Sequence, residues 1–179
     1  MWNGLRAMSS LLNRESKIII INLGFNDKIP IRKWPMEHYL ELIHRILEKQ
    51  DTFIVLIGAG SLNASPFFSQ YERCINLTGK TTIKELLALF SIASVLISYD
   101  CGILHIASTT NIYIIALFGP ETPLLYGPLT ENKKIFYKNF SCSPCLSAYN
   151  HRNSICKNNK CMQAITVDEI YNEVIKEIK

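Results

Sequence analysis

Apolar positions recur along the chain in two rhythms. Short unbroken runs, Lys17–Leu23 (KIIIINL), Thr52–Ile57 (TFIVLI), Val95–Ser98 and Tyr113–Phe118 (YIIALF), are dense in β-branched residues. That density marks strands buried on both faces. Between them, apolar residues fall at three- and four-residue steps, the spacing of a one-sided helix. Met36, Tyr39, Leu40, Ile43, Ile46 and Leu47 form one such face, with Pro35 at a first helical position. Ile83, Leu86, Leu87 and Phe90 form a second, behind the capping box Thr82-x-x-Glu85. Val167, Ile170, Tyr171, Val174 and Ile178 form a third, behind Thr166-x-x-Glu169. A short helix over Ile103–Ser108 and short strands at Ile75–Leu77 and Ile135–Tyr137 complete the pattern. Strands and helices alternate throughout, which predicts an α/β fold with a largely parallel sheet. The expected organisation is a lead-in over residues 1–16 and one domain over 17–179, with a cysteine-rich loop at 141–161 and a terminal helix at 166–179.

Composition narrows this picture a little. With 179 residues, 48% hydrophobic and 19% charged, the chain can bury one sizeable core. No apolar run approaches the ~18 residues of a membrane span. The start, MWNGLRAMSSLLNRES, lacks the basic segment and continuous apolar stretch of a secretory signal. A cytoplasmic location is therefore expected. The formal charge of +4 is scattered rather than run together, so nucleic acid is not implied, while an anionic small ligand suits it.

The stretch from Val95 to Pro120 carries the most chemistry. One strand ends at Tyr99-Asp100-Cys101-Gly102, a helix bearing His105 follows, and a second strand closes at Gly119-Pro120. Open α/β sheets bind ligands at the carboxyl ends of their strands. Gly102 permits close approach to backbone N–H groups, and His105 adds a donor one turn on. A purely structural alternative stands beside this, in which Asp100 caps the helix, Gly102 makes the turn and His105 is a satisfied side chain. Three further loops reach the same edge. The first holds Lys28, Arg32 and Lys33, the second Gly58-Ala59-Gly60, and the third Gly119-Pro120-Glu121-Thr122-Pro123. A cation in the first suits a diphosphate or a sugar carboxylate. The glycines of the second lack the full dinucleotide fingerprint.

Taken in order, Lys33-Trp-Pro35, Asn76-Leu-Thr-Gly-Lys-Thr81, Ser98-x-Asp100-x-Gly102-x-x-His105-x-Ala107 and Leu117-Phe-Gly-Pro120 resemble glycosyltransferase family 9, the ADP-heptose:lipopolysaccharide heptosyltransferases. Cys142-Ser-Pro-Cys145 and Cys161-Met162-x-x-Ile165-x-Val167 extend the resemblance to the end of the chain. It implies the C-terminal half of a GT-B fold, a Rossmann-like domain that holds a nucleotide-diphospho-sugar such as ADP-heptose. Asp100, Gly102 and His105 would border the donor diphosphate. Arg32 would stand where the family has a phosphate-contacting lysine, and Cys101 where it has Thr or Ser. Gly58, Gly60, Gly119 and Pro120 would form the nucleotide rim. The acidic partner of the ribose has no counterpart in Gly58–Ser61. The resemblance further implies metal-independent transfer to a lipopolysaccharide or other envelope glycan, at or near the inner membrane. The acceptor domain and its proposed base lie outside these residues, so the chain is expected to bind donor without transferring it. A non-catalytic nucleotide-sugar binding module is the alternative.

The cysteines raise a separate question. Cys142, Cys145, Cys156 and Cys161 have the pairwise grouping of a structural zinc site, with His151 as a substitute ligand. Free thiols are the other reading. A zinc-containing nucleic-acid binder using Lys157 and Lys160 would need a concentrated basic stripe, which is absent from the sequence.

Overall fold

The computed structural model describes residues 16–24, 29–49, 51–60, 68 and 70–179. The lead-in before Ser16, Lys28 and most of the stretch after Gly60 lie outside the described residues. Six strands form one sheet: β1 (Lys17–Asn22), β2 (Thr52–Ile57), β3 (Cys74–Asn76), β4 (Val95–Tyr99), β5 (Tyr113–Phe118) and β6 (Lys133–Tyr137). All neighbouring pairs are parallel, in the order β3-β2-β1-β4-β5-β6. That is the order of a doubly wound, Rossmann-like sheet, whose direction of winding reverses between β1 and β4.

Among the described residues six α-helices accompany the sheet: α1 (Met36–Lys49), α2 (Ile83–Ile92), α3 (Gly102–Ala107), α4 (Pro123–Tyr126), α5 (Lys160–Gln163) and α6 (Val167–Ile178). Side chains alternate across a strand, so consecutive isoleucines of β1 serve two cores. Ile19 and Ile21 pack with Tyr39, Ile43 and Ile46 of α1 and with Ile170 and Val174 of α6. Ile18 and Ile20 pack with Leu86, Leu89 and Phe90 of α2 and with Leu104 of α3. Helices on both faces explain why the strands read as unbroken apolar runs. The chain leaves β1 toward one face and β4 toward the other, and the loops at that junction diverge.

Both predicted capping boxes are present. Thr82 and Glu85 exchange bonds at the start of α2, and Thr166 and Glu169 do so at the start of α6. Several boundaries shift. β3 begins at Cys74 and β6 at Lys133, and α3 begins at Gly102 rather than Ile103. Pro35 precedes α1, its carbonyl accepting from the His38 and Tyr39 amides. The face of α2 is also rotated from the expected one: Leu86, Leu89 and Phe90 are buried, whereas Ile83 is 63% and Leu87 37% exposed. Both sets have helical spacing, and only docking on the sheet chooses between them.

The rotation predicts a contrast measurable by urea unfolding. Leu89→Ala is expected to cost about 2–5 kcal/mol, as for a buried leucine. Ile83→Gln should stay within about 0.5 kcal/mol, as for a surface change. Equal costs would put α2 in a different orientation.

Candidate functional site

The site is built from loops at the carboxyl edge of the sheet, where β1 and β4 part. Asn22 ends β1, buried, and Gly24 turns the chain with a φ of 56°. A Cβ on Gly24 would fall 1.9 Å from the Tyr99 hydroxyl, so only glycine lets the loop cross over the end of β4. The loop then forms a 3-10 turn, Pro30–Arg32. Its position depends on distant residues. Asn159 Nδ2 donates to the carbonyls of Ile31 (3.1 Å) and Lys33 (2.8 Å). Trp34 Nε1 donates to Ile165 O at 2.9 Å. The segment around α5 thus holds Arg32 in place from behind.

From the other side comes the end of β4. Arg32 Nη1 donates to Asp100 Oδ2 at 3.4 Å, across the junction between the two strands. Asp100 does not cap α3, contrary to that structural reading. The N-cap is Cys101, without a side-chain cap bond, and Asp100 faces Arg32 instead. A carboxylate that is only 6% exposed needs a cation more than the helix needs a cap. Beneath them, Asn22 Nδ2 donates to Ser98 Oγ (2.9 Å) and points at Cys101 Sγ (3.1 Å), while its Oδ1 has no hydrogen-bond partner.

These groups surround a cleft of about 320 Å³, lined by Asn22, Gly24, Arg32, Ala59, Tyr99, Cys101, Gly102, Ile103 and Arg152. A Cβ added to Gly102 would meet nothing within 4 Å, so the backbone at the start of α3 is open to the cleft. A depression of about 500 Å³ between α2 and the β5 entry is roomier but carries no charged side chain, its walls being Phe90, Ser91, Ala93 and Thr109–Ile112. A cleft of about 380 Å³ lined by Leu47, Glu48, Gln70, Tyr71, Glu72 and Arg73 is also charged, but two of its three ionic side chains are acidic. Paired arginines, rather than size, single out the cleft at the strand junction.

Two participants had no role assigned from the sequence, although Glu121 lies in one of the loops read as reaching this edge. Arg152 reaches the cleft from the cysteine-rich loop, and Glu121 lies behind it, 1% exposed, with Oε1 3.4 Å from Arg152 Nε. Asp100 and Glu121 share one field. Burial pushes the Asp100 carboxyl up, against the pull of Arg32, Arg152 and His105. Burial and the neighbouring Asp100 push Glu121 up, against Arg152 and Arg32. Burial likewise raises the Cys101 thiol.

The other expected residues divide. His105 is exposed on α3, close enough to act on Asp100 through its charge but not part of the cleft wall. Lys33 adjoins Arg32 and is half-buried, also off the wall. Of the second-strand loop, Ala59 lines the cleft rather than Gly58 or Gly60. Gly58 instead permits backbone contact, since its Cβ would lie 2.8 Å from Gly24 N. Gly119 and Pro120 are buried and form no open rim. A Cβ on Gly119 would meet Met162 Sδ at 2.7 Å and Cys161 Sγ at 2.8 Å, and Pro120 O accepts from the Cys145 and Leu146 amides, each at 2.9 Å.

The four loop cysteines do not converge on a metal. Among the described residues no group of three or more His, Cys, Asp or Glu side chains is arranged to hold an ion, and all four thiols are free. Cys161 is buried in α5, Cys142 is exposed, and Cys156 Sγ donates to Asn158 O. His151 is exposed. Cys142 and Cys145 lie close enough to Cys161 to act on it through their charge. Among the described residues no helix is long and apolar enough to cross a membrane.

The chain is similar to known proteins in sequence and in fold. The model of glycosyltransferase family 9 (heptosyltransferase) matches residues 4–155. The lipooligosaccharide heptosyltransferase 2 of Haemophilus influenzae is 30% identical over 115 residues, 59% of this chain and 32% of that protein. Its Campylobacter jejuni namesake is 24% identical over 174 residues, 93% of this chain and 53% of that protein. The chain thus spans between a third and a half of the length of these relatives. Among solved structures, a family 9 glycosyl transferase from Veillonella parvula superposes with a TM-score of 0.75 at 22% identity, covering 98% of this chain and 51% of that one. The Escherichia coli ADP-heptose LPS heptosyltransferase II gives 0.71 at 20% identity, covering 98% and 50%. At these identities the structures bear on the fold.

Asp100 supplies a test of the electrostatics. Below its ordinary value of 3.8 the carboxyl is neutral whether folded or unfolded, and its burial costs nothing. As pH rises from that value to the raised folded one, the unfolded chain ionises first and the folded chain loses stability, the loss levelling off once the folded carboxyl ionises as well. Asp100→Asn should therefore match wild type near about pH 3 and exceed its urea midpoint at about pH 7. A lower midpoint at neutral pH would mean that Arg32 more than offsets the burial.

Proposed function

The chain belongs to glycosyltransferase family 9 (heptosyltransferase), and on that premise we propose that its 179 residues form the donor-binding half of a glycosyltransferase. The ligand is a nucleotide-diphospho-sugar of the ADP-heptose kind, and the glycan acceptor docks on residues outside this cleft. The observation that carries the reading is Arg32 at the mouth of a cleft at the β1–β4 junction, beside the unobstructed backbone of Gly102. Guanidinium forks suit phosphate oxygens, and a glycine at a strand-to-helix turn lets them come close.

Sugar transfer without a metal has two requirements, a base on the acceptor hydroxyl and stabilisation of the departing diphosphate. Arg32 meets the second. The two carboxylates of the site, Asp100 and Glu121, are each engaged by an arginine, which supports assigning the base to the acceptor side. On this account the chain alone binds donor and does not transfer it. Envelope glycan assembly at the cytoplasmic face of the inner membrane is the setting we infer, from the family alone. A binding module without turnover would show the same donor affinity.

Gly102 separates folding from binding. A side chain there has open space around it and lies in a helix, where Ala is preferred to Gly by roughly 1 kcal/mol. Gly102→Val should leave the urea midpoint within about 0.5 kcal/mol of wild type and abolish calorimetric binding of ADP or UDP. Full affinity in Gly102→Val, or no binding of either nucleotide by wild type at millimolar concentration, would overturn the donor reading.

A further inference from the structure

We infer that Arg152 is a second guanidinium on the donor diphosphate, opposite Arg32, and that the buried Glu121 is the positioning residue that aims it. The inference rests on the donor-binding reading above and adds two residues that the family motifs did not mark.

Glu121 is the unusual group. It is 1% exposed, and neither carboxylate oxygen has a hydrogen bond. Its ion pair is with Arg152 Nε at 3.4 Å. A buried carboxylate without hydrogen bonds is costly to the fold, and the structure offers it Arg152 as compensation. Using Nε in this way leaves the Nη1 and Nη2 fork unengaged by hydrogen bonds among the described residues. That fork is the part of arginine that matches two phosphate oxygens. The ring of Tyr126 lies 5.3 Å from the guanidinium carbon and restrains its plane.

The backbone is held for the same end. His151 and Arg152 both adopt left-handed conformations, with φ of 52° and 56°, a region that residues other than glycine rarely enter. Ser147 and Asn150 close a capping box just before them, and the Arg152 amide donates to Ser147 O at 2.9 Å. Strained conformations persist where their surroundings over-determine them, and they cluster at ligand sites.

The charge arithmetic supplies a discriminating sign. Glu121 is an anion beside a site for an anion, so by charge alone its neutralisation should tighten diphosphate binding. As a positioning residue its loss should weaken binding, because the fork is no longer aimed. The full chain is titrated calorimetrically with ADP and UDP, with adenosine and uridine as phosphate-free probes. Arg152→Gln is expected to weaken the better-bound diphosphate roughly tenfold, the worth of one charge-assisted bond, and to leave the nucleoside unchanged. Arg152→Lys should recover part of the loss. Glu121→Gln should weaken the diphosphate severalfold, and Glu121→Asp carries the same question if the glutamine variant does not fold. Unchanged diphosphate affinity in Arg152→Gln, or tighter binding in Glu121→Gln, overturns the inference while leaving the donor reading standing. Failure of wild type to bind either diphosphate overturns both.

Discussion

The molecule depends on the reversal of winding between β1 and β4. A strand pair whose following loops leave toward opposite faces cannot close its own carboxyl edge. Elsewhere in a parallel sheet, one connection covers the next. Here the gap is a consequence of topology, and whatever side chains stand at its lips face each other without secondary structure between them. In this chain those lips carry Arg32 after β1 and Asp100 after β4. Their contact at 3.4 Å is both a bridge across the gap and a cation held at its mouth. The isoleucine-rich strands, the two helical layers and the capping boxes all act to hold this edge in register.

Support for the lips comes from far along the chain. Asn159 and Trp34 tie the Arg32 turn to the segment around α5. Gly119 admits Cys161 and Met162 of that same helix against the end of β5, and Pro120 suspends the cysteine loop through the Cys145 and Leu146 amides. The loop therefore has a mechanical role in this fold. It delivers Arg152 to the cleft and buttresses Arg32 from behind. Glycines that first look like ligand contacts, Gly58 and Gly119, turn out to serve packing, while Gly102 is the one that opens onto the cleft.

Much of this was legible in the residues. Runs such as KIIIIN and YIIALF specify strands buried on both faces, and the alternation with helical spacing specifies a parallel sheet. The corner at Asp100 and Gly102 and the cation at Arg32 were identifiable because local patterns place them at strand ends. What stayed hidden were relations across sequence distance. Nothing near Asp100 reveals that its partner lies 68 residues away, so capping, a local interaction, was the natural alternative. Arg152 sits in a loop without periodicity, and Glu121 lies in a loop that its position puts at the rim while nothing local marks its side chain. Their pairing exists only once β5 and the cysteine loop are brought together. The phase of α2 was undetermined for a related reason, since Ile83–Leu87 and Leu86–Phe90 are equally good helical pairs and only the sheet chooses between them.

The central claim is that the cleft at the β1–β4 junction receives the nucleotide diphosphate, and amide chemical-shift mapping of the isotopically labelled chain titrated with ADP or UDP tests it most directly. The account predicts saturable shifts concentrated at Asn22, Gly24, Arg32, Tyr99, Cys101–Ile103 and Arg152, which line the cleft. Saturable shifts confined to the opposite edge of the sheet, around Phe90–Ala93 and Thr109–Ile112, with the β1–β4 edge unmoved, would contradict it.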